Sequence, residues 1–158
     1  ASAAIGLVFF ARRMLSLEPK SEYADVMERA LYNGVISGMQ LDGRRFFYVN
    51  PLEVLPEASL KDHGKQHVKV ERQKWFGCAC CPPNIIRLVS SLEDYIASVR
   101  DNALYLHLYV GGDLEACVAG RDIHLNTQTN YPWDGKICMT FSSEVPVSFA
   151  LNLRVPVY

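Results

Sequence analysis

Three of the chain's five cysteines fall within four residues, Cys78-Ala-Cys80-Cys81. A thiolate is both a nucleophile and a zinc ligand. An ordinary thiol, with a pKa of about 8.5, is only a few per cent ionised at neutral pH. Pro82-Pro83 follow at once, where the first turn of a helix tolerates proline. The free N–H groups and dipole of such a helix favour a thiolate placed just before it. Spacing alone leaves several readings open: buried small apolar residues, disulfide halves, metal ligands or a nucleophile. Cys80 and Cys81 are poor partners for each other, because a disulfide across one trans peptide is strained. As metal ligands the run supplies at most two or three of the four that zinc takes.

The elements that must position these thiols follow from apolar periodicity. An apolar run from Ile5 to Leu15 predicts a first, buried helix that stops near Glu18-Pro19. Ser21 is a plausible N-cap for a second helix from Tyr23 to about Ser37, whose stripe is Tyr23, Val26, Met27, Ala30, Leu31 and Val35. Leu41-Asp-Gly43 signals a turn, Arg45–Asn50 a short aromatic strand or extended run, and residues 52–74 an exposed loop. After the cysteines a helix is expected through Ile85, Ile86, Leu88, Val89, Leu92 and Tyr95-Ile96. From Leu104 the period becomes two: Leu104, Leu106, Leu108, then Ile123, Leu125, Thr127, then Ile137, Met139, Phe141, then Phe149, Leu151, Leu153, Val155. The fold class is therefore α+β, with helices in residues 1–100 and an antiparallel β region over 101–158.

Composition removes several function classes. The 158 residues hold 16 Lys+Arg against 17 Asp+Glu, so there is no basic excess for a nucleic-acid partner. A 49% hydrophobic, 21% charged chain is not globally disordered. The run Ala3–Ala11 is far short of the roughly 20 residues that span a membrane. Its arginines follow the apolar stretch rather than precede it, unlike a signal peptide. Both ends read as cut, so a piece of a longer protein is expected. Free thiols without a visible leader favour a reducing cytoplasm.

The run Gly77-Cys-Ala-Cys-Cys-Pro-Pro-Asn84 resembles the hallmark of glycoside hydrolase family 127, the β-L-arabinofuranosidases. Glu28-Arg-Ala-Leu-Tyr-Asn-Gly34, Phe47-Tyr-Val-Asn-Pro-Leu52, His107-Leu-Tyr-Val110 and Tyr131-Pro-Trp-Asp-Gly135 resemble the same family, in its order. The resemblance implies the last helices of a catalytic α/α barrel followed by the start of a β-sandwich. It also implies a zinc ion held by one glutamate and three cysteines, one cysteine being the nucleophile. By that resemblance Cys80 is nucleophile and zinc ligand, and Cys81 a second zinc ligand. Cys78 lies near the sugar outside the metal shell, and Glu28 and Tyr48 line the pocket of an arabinofuranoside substrate. A cut barrel edge would offer a surface for a homo-oligomer.

The departures are equally specific. The family's Glu-x-Cys ligand run precedes the Ile-Gly of the first helix, a register that puts Ser2 where the family has cysteine and the glutamate before Ala1. The acid/base glutamate lies further upstream. The resemblance therefore gives this chain at most two of four zinc ligands and half of the catalytic pair. The residues by themselves say less. Helical periodicity makes Glu28 a solvated charge and Tyr48 core packing. His63 and His67 read as surface residues, while His107 and His124 read as sheet residues. Cys117 and Cys138 read as buried strand thiols, and Trp133 as a turn anchor.

Overall fold

The computed structural model describes residues 2–157. Helix α1, Ser2–Leu17, buries Ile5, Val8, Ala11 and Leu15, a spacing of three and four that turns one face inward. Pro19 ends it as expected, and α2 runs Ser21–Arg29. The second helix then departs from regular geometry: Ala30–Val35 is π-helical and Ile36–Gly38 a 3₁₀ turn. Gly34 accounts for part of this, since a Cβ there would come within 2.7 Å of the Ala4 Cβ on α1. The wider π turn and the missing side chain let the two backbones approach.

Alanine in a helix interior normally gains up to about 1 kcal/mol over glycine. At Gly34 the opposite sign is expected, because the Ala4 methyl is a fixed atom rather than the end of a flexible side chain. Gly34→Ala should destabilise by about 2 kcal/mol. A chemical-denaturation midpoint at or above the parent's would show that the close approach is not tight.

Leu41-Asp-Gly43 is the turn that the sequence indicates, with Gly43 at φ +71. Arg45–Asn50 forms no strand. It contributes single bridges, Phe46 to Met39 and Phe46 to Gln73. The 52–74 stretch is exposed, yet carries a short helix α3, Pro56–Lys61, and a 3₁₀ turn at His63–Lys65. Helix α4, Cys81–Val89, has proline in its first turn and buries Cys81, Ile85 and Leu88. It stops at Ser90 instead of continuing, and a separate turn α5, Glu93–Ile96, leads into an unanticipated strand.

The strands are β1 Ala97–Arg100, β2 Ala103–Leu106, β3 Gly112–Val118, β4 Arg121–Thr129, β5 Ile137–Ser142 and β6 Ala150–Leu153. They form two three-stranded sheets, β1-β2-β6 and β3-β4-β5. The second sheet is antiparallel throughout. In the first, β6 pairs with β2 in parallel, Leu104 opposite Leu151, a departure from the all-antiparallel expectation. Period-two alternation marks a strand but not its direction, which is set here by the chain crossing from one sheet to the other after β5. Both sheets share a core of Leu104, Leu106, Val118, Ile123 and Leu125. Cys117 and Cys138 are exposed, not buried, because alternation turns their neighbours Val118 and Met139 toward that core instead.

The chain divides into two compact units. One joins the chain up to Met14 to Asp25–Ser90, and the other joins Leu15–Ala24 to the chain from Ser91 onward. Among the described residues no helix is long and apolar enough to cross a membrane.

Candidate active site

The thiols sit at the head of α4 in the first unit. Cys80 occupies the N-cap position at φ −73, ψ −31 and spends no side-chain bond on capping the helix. Its sulfur stays available for chemistry beside the free N–H end of a nine-residue helix. Cys80 Sγ lies 3.8 Å from the Tyr48 hydroxyl and 3.7 Å from Cys81 Sγ, and Cys81 Sγ lies 3.8 Å from the Tyr48 carbonyl.

Tyr48 is brought there by the run that failed to become a strand. Phe46 exchanges backbone hydrogen bonds with Gln73 at 3.0 and 2.9 Å, which clamps the run. Phe76 then packs against both Phe46 and Tyr48, with ring centroids 5.2 and 5.6 Å apart. The His67 ring stands edge-on to Tyr48 at 5.9 Å. This residue of the exposed loop thus touches the site, which its glycine-containing surroundings did not suggest.

Electrostatics separates the two adjacent cysteines. Hydrogen bonding by the Tyr48 hydroxyl, then by Ser2 and Cys78, brings the Cys80 thiol down to about 7. When Cys80 is ionised the phenol is the donor, so Tyr48 is reciprocally pushed up to about 12. Burial moves Cys81 the other way, above the ordinary thiol range. Near neutrality Cys80 is therefore the readily ionised thiol. In the metal-free protein, Tyr48→Phe should raise the pH midpoint of Cys80 alkylation from about 7 toward the ordinary thiol range. Alkylation resolved by peptide mass spectrometry measures this, and an unmoved midpoint would refute the phenol's role.

The structure brings Cys78, Cys80, Cys81, Tyr48 and Ser2 together. Ser2, in the first turn of α1, acts on both Cys80 and Cys81 and accepts a 3.3 Å bond from Asn84. Glu28 is not the solvated charge of an amphipathic helix: it is 1% exposed at the end of α2, just before the π turn. It is not among the principal groups that tune Cys80. Asn84 belongs to the site and was not singled out from the sequence. Its position four residues after Cys80, one turn along a predicted helix, was the available signal.

The metal question can be tested on distance. Tetrahedral zinc with Zn–S bonds of about 2.3 Å sets two sulfurs about 3.8 Å apart. Cys80 and Cys81, at 3.7 Å, fit two vertices. A serine hydroxyl at the third position is a far poorer zinc ligand than a thiolate. Among the described residues no three His, Cys, Asp or Glu side chains are grouped to hold a metal. The pair fits zinc; the described residues do not complete its shell.

The other candidates lie apart from the thiols. His124 pairs with Asp113 at 3.1 Å on the β3-β4-β5 sheet. Trp133 is 92% exposed at the β4–β5 turn; its ring anchors nothing in the core, and Tyr131 packs instead, against Tyr109 at 5.7 Å.

Comparison with known proteins bears on the whole chain. The family model described as "Beta-L-arabinofuranosidase, GH127 catalytic domain" matches residues 1–94, and that of the GH127 middle domain matches residues 103–158. The non-reducing end β-L-arabinofuranosidase of Bifidobacterium longum subsp. longum is 40% identical, aligned over 98% of this chain and 24% of its own length. The crystal structure of a GH127 β-L-arabinofuranosidase from Geobacillus stearothermophilus T6 superposes with a TM-score of 0.88 at 57% identity. That match covers 96% of this chain and 24% of the other. A second GH127 β-arabinofuranosidase structure gives 0.85 at 40% identity, over 98% and 22%. The chain thus spans about a quarter of the length of these relatives. With two successive family domains matched and the thiol cluster assembled in the first, the chain belongs to the GH127 β-L-arabinofuranosidase family of glycoside hydrolases.

Proposed function

We propose that the full-length protein carrying this chain is a retaining glycosidase that releases L-arabinofuranose from β-L-arabinofuranosides, with Cys80 as nucleophile. The observation that carries the reading is the half-buried Cys80 sulfur at the head of α4, brought down to about 7 beside the Tyr48 hydroxyl. In this reading residues 1–100 are the last helices of an α/α barrel and residues 101–158 the start of a β-sandwich. Cys80 and Cys81 are the two zinc ligands this chain supplies, and bound zinc would keep sulfur deprotonated and oriented.

The Cys80 thiolate attacks the anomeric carbon. The carbon–oxygen bond to the leaving group breaks, and that oxygen takes a proton from a carboxylic acid outside this chain. The resulting thioglycosyl bond is then cleaved by water, which gives its proton back to the same carboxylate and returns Cys80 as thiolate. Tyr48 keeps the sulfur ionised and aimed, while Glu28, Tyr48 and Cys78 line the sugar pocket. Two inversions at one carbon give net retention.

Proton NMR of the sugar first released from 4-nitrophenyl β-L-arabinofuranoside by the full-length protein tests this. The β anomer supports the reading; the α anomer, or no hydrolysis, refutes it. Ser2 at a cysteine position favours a second reading, a carbohydrate-binding or scaffold protein that keeps the thiols without catalysis. Hydrolysis by a protein purified with one zinc per chain would count against that alternative.

A further inference from the structure

Asn84 makes two side-chain bonds that the mechanism above does not use. Its Nδ2 donates to the Cys80 carbonyl at 3.0 Å and to Ser2 Oγ at 3.3 Å. A primary amide has two N–H donors, so both bonds form together without competition. One reaches back a single turn, to the residue that carries the nucleophilic sulfur. The other reaches 82 residues along the chain, to the first turn of α1. Asn84 is only partly exposed, which limits competition from water.

The local sequence explains why a side chain is needed. Pro82 and Pro83 have no N–H, so the turn that carries the cysteines lacks two backbone donors that would otherwise hold it. Cys80 does not cap the helix with its own sulfur. The direction of that sulfur therefore follows from how the Cys80 backbone is held, and Asn84 is the donor that holds it. Ser2, the second acceptor, is also one of the groups that act on Cys80. A single amide thus ties the two strands of chain that face the sulfur.

We propose that Asn84 is a positioning residue for Cys80: it fixes the cysteine turn against the start of α1, so that Cys80 Sγ is presented between Tyr48 and Ser2. The inference rests on the glycosidase reading for its kinetic consequence, but not for its geometry. Aspartate has the same shape and no N–H, and it turns a donor into an acceptor that faces the Cys80 carbonyl. Alanine removes the bonds without adding charge.

The test uses the full-length protein with Asn84→Asp and Asn84→Ala. Three quantities are measured: kcat and KM on a β-L-arabinofuranoside, the thermal midpoint, and the ratio of iodoacetamide alkylation at Cys80 to that at exposed Cys78. The expected result for both variants is a kcat lower by about 10- to 100-fold with KM within about twofold. The alkylation ratio should shift by more than about threefold, a change that a loss of global stability alone does not produce. An unchanged kcat, a rise in KM at constant kcat, or an unchanged alkylation ratio would each overturn the proposal. If Asn84→Asp does not fold, Asn84→Ala decides by the same criteria. If the parent protein does not hydrolyse arabinofuranosides, the glycosidase reading fails separately, and the alkylation ratio alone decides on Asn84.

Discussion

Cys80→Ala lowers kcat of the full-length protein on a β-L-arabinofuranoside by about 10⁴-fold or more, with KM changed only a few-fold. The size of the effect follows from the role. Removing a nucleophile removes a bond-forming step, whereas removing a pocket contact weakens an interaction that survives in other forms. Alanine is the informative replacement, because serine would leave a hydroxyl in the same position beside Tyr48. Cys117→Ala is the matched control: this exposed thiol lies in the other compact unit and should leave kcat within about twofold. Steady-state kinetics on the three proteins checks the prediction. If Cys80→Ala keeps more than about a tenth of the parent rate, another group attacks the sugar. Cys81→Ala helps to separate roles, since Cys81 is buried with its thiol held above the ordinary range and is poorly suited to attack unaided.

Acidification should loosen the strand region by about 3 kcal/mol between pH 7 and pH 4 through one residue, His107. His107 follows β2, is 6% exposed, and its Nε2 lies 2.7 Å from Ser98 Oγ on β1. Burial, then the Arg154 charge, lowers its pKa from 6.5 to about 4. The sign is set by which state binds protons. Below 6.5 the unfolded chain takes up a proton that the folded imidazole refuses until about 4, so acid favours opening. The contribution is complete above pH 6.5 and is lost as pH falls toward 4. Around it Arg154 Nε donates to the His107 carbonyl at 2.6 Å, and the Tyr109 hydroxyl donates to the Arg154 carbonyl. These bonds hold the end of β6 beside β2, and protonated His107 would face that guanidinium. Hydrogen exchange of the Leu104–Leu106 amides, corrected for intrinsic rates, reads the opening free energy. In His107→Gln the excess pH dependence between 6.5 and 4 should vanish; its persistence would assign the acid sensitivity elsewhere.

How much of this was legible in the sequence depended on whether the governing contact was local. Pro19 and the Pro82-Pro83 pair set helix boundaries through their own backbone chemistry, so α1 and the start of α4 fall where expected. Alternation marked the strands because it reports burial on one face of a sheet. The direction of β6 was not legible, since β2 pairing is decided by a crossing of the chain and not by its residues. Glu28 reads as a surface charge on its own helix, and only tertiary packing buries it. The reverse holds for Cys117 and Cys138, apolar enough to suggest a core but facing outward by register. Within the site the thiols and Tyr48 came from motifs that resemble the family. Asn84 and His67 were missed because their significance lies in partners 82 and 19 positions away.

The π turn at Ala30–Val35 has a consequence for how this region can change over time. A π turn is a helix that carries one residue more than its neighbours require, absorbed as a bulge without shifting what lies on either side. Glu28 before it and the Met39–Phe46 bridge after it are both fixed by packing. The surplus residue is therefore trapped between two anchors. A single deletion here would return the helix to regular geometry and rotate everything downstream by about 100° relative to Glu28. Drift in chain length is tolerated in the exposed 52–74 stretch; in this turn it would dismantle the approach to Tyr48 and the thiols.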